Sequence, residues 1–107
     1  MIAKTPKPPY YAVIFTSLGA EFDINYDALA EKMVALASEQ DGFLGIESVR
    51  DGLGITVSYW RDLESISKWR ENAKHKIAQK KGYETFYKAF ATRICKVERD
   101  NMFEKKV

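Results

Sequence analysis

Residues 57–90 read VSYWRDLESISKWRENAKHKIAQKKGYETFYKAF, and the fold is decided in that stretch. An apolar run of strand character ends at Trp60, a turn follows at Arg61-Asp62, and the pattern then changes to a helical period. Asp62 suits the N-cap of this helix, and Glu64 sits near the positive end of its dipole. Ile66, Trp69, Arg70, Ala73 and Ile77 make the inner stripe; Lys80 and Lys81 suit the negative end, and Gly82 is the natural terminator. An aromatic segment with Tyr83, Phe86, Tyr87 and Phe90 comes next. It predicts a short helical turn over 83–88, followed by a last strand over 89–99.

Upstream, YYAVIFTSL at 10–18 is too short for a helix and rich in aromatic and β-branched residues, so it predicts a strand. Its two faces differ little: Tyr11, Val13 and Phe15 point one way, Ala12, Ile14 and Thr16 the other. Over 23–40, Tyr26, Leu29, Met33, Leu36 and Ala37 form one helical stripe, which Asp41-Gly42 stops. Strands over 43–50 and 54–60 are joined by Asp51-Gly52-Leu53-Gly54, a hairpin signature. All three prolines lie in residues 1–9, predicting an extended leader, and 100–107 reads as a charged tail. The domain proper is 10–99.

The order β-α-β-β-α-β is that of an α+β, ferredoxin-like domain: an antiparallel sheet with both helices on one face. Apolar residues of both parities in the first and last strands then leave the far face apolar. A second copy of the sheet is the simplest cover, predicting a homodimer built as a two-sheet α/β barrel.

The chain has 107 residues, enough for one domain, with 46% hydrophobic and 30% charged residues. A net charge of +2 selects neither nucleic acid nor anionic lipid as a partner. The lysines at 74, 76, 80 and 81 sit where a helix C-terminus favours them and read as a solvated face. No apolar run is long enough for a membrane span, and the N-terminus has no apolar signal core. With a lone cysteine, Cys95, read as a buried, inert thiol, the expected location is cytoplasmic. One histidine and one cysteine build neither a zinc cluster nor a Ser/His/Asp arrangement.

The sequence resembles the antibiotic biosynthesis monooxygenase (ABM) superfamily of dimeric α+β barrels over residues 10–99. The carriers are Asp41-Gly42-Phe43, Trp60 at a strand end, Trp69-Arg70-x-x-Ala73-x-His75-x-x-Ala78-Gln79-x-x-Gly82, the aromatic segment at 83–87, and Val97-Glu98-Arg99. The resemblance implies either oxidation of polycyclic phenols or quinols without metal or flavin, or heme binding and degradation. In the first chemistry the deprotonated substrate itself reduces dioxygen, so the protein needs only to bind, orient and help ionise it. Heme-degrading relatives carry a first-strand asparagine, a tryptophan in the second helix and an iron-ligating histidine about three turns later. Here Trp69 matches the tryptophan, the first strand offers Thr16 and Ser17, and the ligand position falls on Gln79, with His75 one turn earlier.

His75 and Trp69 are the catalytic candidates. His75 titrates near neutrality and suits a base for a phenol, yet the helical period turns it away from the inner stripe toward solvent. Trp60 and Trp69 either stack on a flat ligand or fill the space between helix and sheet. Arg70 either pairs with a carboxylate such as Glu47 or holds an anionic substrate group. Asn72 and Gln79 are candidates to orient a substrate oxygen, and Tyr83 and Tyr87 to donate to a developing phenolate. The expected function is cofactor-independent monooxygenation of a small aromatic or quinol-type substrate. The alternative is non-catalytic binding of a small hydrophobic molecule, heme included.

Overall fold

The computed structural model describes residues 1–19, 24–80 and 87–106, with the side chains of 24–29 and 75–80 left aside. The elements are β1 (Tyr10–Gly19), α1 (Ile24–Ser38), β2 (Phe43–Asp51), β3 (Leu53–Trp60), α2 (Leu63–Lys80) and β4 (Tyr87–Val97). The strands form one sheet in the order β2-β3-β1-β4 with every neighbouring pair antiparallel. This is the predicted ferredoxin-like α+β arrangement. Two boundaries differ in an informative way. The β2–β3 hairpin is tighter than its sequence implies, turning on Gly52 at φ 77° with Asp51 already opposite Leu53. Tyr87 and Lys88 belong to β4 and not to a helical turn, and the rest of that predicted turn lies outside the described residues. The aromatic rings explain the change: Tyr87 packs edge-on against Phe15 and Phe90, each with centroids 5.5 Å apart. That packing outweighs a weak local preference.

The junction from β3 into α2 is built as its residues predict. Asp62 Oδ1 accepts from the backbone N–H of Ser65 at 2.8 Å and from its hydroxyl at 2.7 Å. Gly42, at φ 87°, lies so close to Ser65 that any Cβ there would collide with the serine side chain. These hydrogen bonds, with Arg61 adding to them, hold the Asp62 carboxyl down at about 2. A depressed carboxylate stabilises the fold above its unfolded pKa of about 3.9 and loses that contribution as pH falls through the folded value. Asp62→Ala is therefore expected to lower the thermal midpoint at pH 7 and to converge with the parent between about pH 4 and pH 2, as followed by circular dichroism. A constant gap down to pH 2 would contradict the cap.

Odd-numbered residues of β1 face the helices. Val13 of β1, Ala37 of α1, Trp60 of β3 and Ile66 of α2 form the buried centre, with Tyr11, Phe43 and Trp69 packed against it. On the far face, one end is closed by the termini. Glu47 accepts from the Ala3 backbone N–H at 2.9 Å and from the Tyr59 hydroxyl at 2.6 Å. The Tyr10 hydroxyl accepts from Thr5 and donates to Asp100. Burial and the adjacent Glu47 push the Tyr59 phenol up to about 12. Residues 1–9, which carry no helix or strand, are thus tied to the sheet at Gly45 and Glu47. The rest of the far face stays open: Leu18, Val49, Leu53 and Ile55 are all exposed. Cys95 is exposed there too, contrary to its expected burial, because it pairs with Ala12 on the face that no helix covers.

Candidate functional site

A cavity of about 260 Å³ lies between the sheet and the two helices. Met33, Val34 and Ala37 of α1 close one side, and Trp69 and Ala73 of α2 the other. Phe15, Tyr87 and Phe90 form an aromatic end; Phe15 and Phe90 lie with centroids 5.5 Å apart at a 31° tilt. The walls are therefore apolar, as expected of a site for a small ring compound.

The floor is not. Along one rung of the sheet, Ser48, Thr56, Phe15 and Thr92 stand side by side on β2, β3, β1 and β4. On flanking rungs the helix-facing positions include Ser58 and Ser17. Valine or isoleucine at these places would meet the helices and fill the layer; short hydroxyl side chains leave it open. The hydroxyls are organised: Ser48 and Thr56 bond each other at 2.9 Å, Ser17 accepts from Arg50 at 2.9 Å, and Ser58 accepts from the Trp60 indole N–H at 2.8 Å. Arg50 reaches Ser17 by lying over Gly54, in the space a Cβ would occupy. A serine that accepts in this way keeps its own proton to donate, so Ser17 and Ser58 suit an oxygen that is gaining negative charge.

The predicted site residues separate into groups. Trp69, Arg70 and Tyr87 come together on the cavity. Trp60 does not reach it: at 0% exposure it lies beneath Trp69, stacked at 6.0 Å and 22°, with Phe43 edge-on to its ring. Asn72 is half-buried on α2 and is not part of the cavity wall. The side chains of His75 and Gln79, and all of Tyr83, lie outside the described residues. The expected pairing of Arg70 with Glu47 is overturned, because Glu47 lies on the opposite face of the sheet, held by Tyr59 and Ala3. Residue-by-residue reading passed over Ser17, Ser48, Thr56, Ser58 and Thr92. Their signal was present: hydroxyl residues at positions of one parity, on the face that helices cover.

Among the described residues no histidine or cysteine lines the cavity. No group of three or more His, Cys, Asp or Glu side chains suited to a metal ion occurs among the described residues either. No described helix is long and apolar enough to cross a membrane.

The profile of the antibiotic biosynthesis monooxygenase family matches residues 9–81. The chain is 50% identical over 105 residues to the uncharacterized protein YqjZ of Bacillus subtilis, covering 96% of this chain and 92% of that protein. It is 32% identical over 95 residues to the jasmonate monooxygenase ABM of Pyricularia oryzae, covering 81% of this chain and only 43% of that longer protein. The crystal structure of SnoaB, a cofactor-independent oxygenase from Streptomyces nogalater, superposes with a TM-score of 0.67 at 7% identity, over 92% of this chain and 100% of that one. That likeness is one of fold.

Proposed function

Because this chain belongs to the antibiotic biosynthesis monooxygenase family, we propose that it is a cofactor-independent monooxygenase. Its substrate is a small aromatic, quinol-type molecule held between the sheet and α2. The observation that carries this reading is the contrast within one cavity, apolar and aromatic on its walls, with hydroxyl donors on its floor. In this chemistry a bound phenol loses its proton and the phenolate passes one electron to dioxygen. The resulting ring radical and superoxide combine to a peroxide anion at a ring carbon that bears hydrogen. It takes back the phenol's proton to become a hydroperoxide, and loss of the ring hydrogen as a proton with cleavage of the O–O bond releases water and leaves a quinone. One phenol and one dioxygen give one quinone and one water, with no further reductant. Ser17 or Ser58, which stand four residues apart along the sheet, would donate to the phenolate oxygen, Trp69 would fix the ring plane, and the apolar walls would exclude water.

An oxygen electrode tests the reading with protein dialysed against a chelator and a panel of naphthols and anthrones. The expected result is uptake of one dioxygen per quinone formed, at a rate proportional to protein. Uptake no faster than in buffer would overturn it. A second copy covering the open far face completes the proposed barrel. The same preparation should therefore sediment at twice the chain mass, and sedimentation as a single chain would remove that partner. The exposed Cys95 thiol accords with action in a reducing compartment such as the cytoplasm.

A further inference from the structure

Charge of one sign lines the cavity. Arg70 and Lys74 border it, and no acidic side chain does among the described residues, although the whole chain is close to balanced at 17 basic and 15 acidic residues. Four residues apart on α2, the two cations lie one above the other on a single helix face. Both also line a wider outer depression of about 430 Å³ beside Leu63, Ile66 and Ile94. They therefore stand where the cavity meets the exterior. Glu71 lines that outer depression and not the cavity.

Neither cation is used elsewhere among the described residues. The ion pairs there join Lys4 to Glu104, Arg61 to Asp41 and Asp62, and Lys68 to Glu64. Behind Arg70 and Lys74 the cavity is lined by Trp69, Ala73 and the sheet, whose floor carries Ser58 on the rung of Ile94 and Ser17 four residues farther along β1. An occupant that satisfies all of this carries an anion at one end, an apolar ring body in the middle and an ionisable oxygen at the other end. Resting on the reading of this cavity as the substrate site, the geometry points to a substrate with a permanent carboxylate, gripped at the mouth by Arg70 and Lys74. Guanidinium offers a carboxylate two parallel N–H donors, and the ammonium one turn away adds a point charge. Anchored there, the ring is directed inward with its hydroxyl toward the floor.

The test uses 6-hydroxy-2-naphthoate, whose hydroxyl and carboxylate stand at opposite ends of the ring system, and its methyl ester, titrated by calorimetry under nitrogen into the parent, Arg70→Gln, Lys74→Gln and the double variant. Both side chains are exposed, so glutamine leaves the fold in place. The acid is expected to bind about tenfold or more tightly than the ester, and its affinity to fall with added salt while that of the ester holds. The double variant is expected to bring the acid down to the level of the ester and leave the ester unchanged. Equal affinity for acid and ester, binding of neither, or variants that weaken both alike would overturn the proposal. Because no oxygen is present, the result stands apart from turnover. Selective acid binding by a protein that consumes no oxygen retains the anion site and removes the oxygenase reading; oxygen uptake with equal binding does the reverse.

Discussion

Trp60→Ala is expected to lose about 3–5 kcal/mol of stability, the usual range for deleting a large buried aromatic side chain. Few domains of this size hold much more than about 5–15 kcal/mol in total. The variant should therefore show a thermal midpoint lower by about 15 °C or more, or fail to accumulate as folded protein. Three contacts account for the size of the effect. The indole is fully buried, stacks on Trp69, and meets the Phe43 ring edge-on. Its N–H is also the donor to Ser58 Oγ at 2.8 Å, so the truncation leaves a buried hydroxyl short of a bond as well as a void. Trp60→Phe keeps most of the packing and loses the hydrogen bond, and should cost about 1–3 kcal/mol. Urea titration of the three proteins by fluorescence and circular dichroism measures the series. A loss under about 1 kcal/mol for Trp60→Ala would show that the ring is not the keystone of the core.

Ala73→Phe should do the reverse, sparing the fold and removing the site. Ala73 lies on α2, half-buried, with its methyl on the cavity between Trp69 and the sheet. A phenyl ring there projects into space the fold leaves open, so it meets no packed core and adds apolar burial of its own. The expected stability change is within about 1 kcal/mol. A cavity of about 260 Å³ has no room for both the new ring and a substrate. Turnover should fall by about 100-fold or more, since displacing a reacting group by about 1 Å already costs that much. Urea denaturation and oxygen uptake, measured on the same preparation, check the two halves. A stable variant that still turns over at the parent rate would place the chemistry elsewhere on the molecule.

The path of the chain was legible because it is written in local terms. Asp62 is an N-cap whether or not anything packs on the helix it starts, Gly52 turns a hairpin by its own backbone freedom, and Ile66, Trp69 and Ala73 share a helix face by period alone. The site was legible only in part. Trp69 and Arg70 were singled out by residue type and do meet the cavity. Trp60 carries the same chemistry and lies one layer deeper, a distinction that rests on where Phe43 and Trp69 press against it. The hydroxyl floor drew no attention because single serines and threonines in strands are unremarkable. They acquire meaning only when strand pairing sets Ser48, Thr56 and Thr92 in one row beneath the helices.

The sequence by itself determined the element order and the ferredoxin-like class, since capping, turn and periodicity are properties of neighbours along the chain; the family came from its resemblance to known members and from the matching family profile. Only the tertiary structure decided which face of the sheet holds a cavity, that Glu47 is spent on Tyr59 and Ala3 on the far side, and that Arg70 and Lys74 meet at a mouth with no acidic partner among the described residues. Those facts depend on register between strands distant in the chain and on the thickness of the side chains that separate helix from sheet. A one-residue change of register would exchange the two faces of a strand.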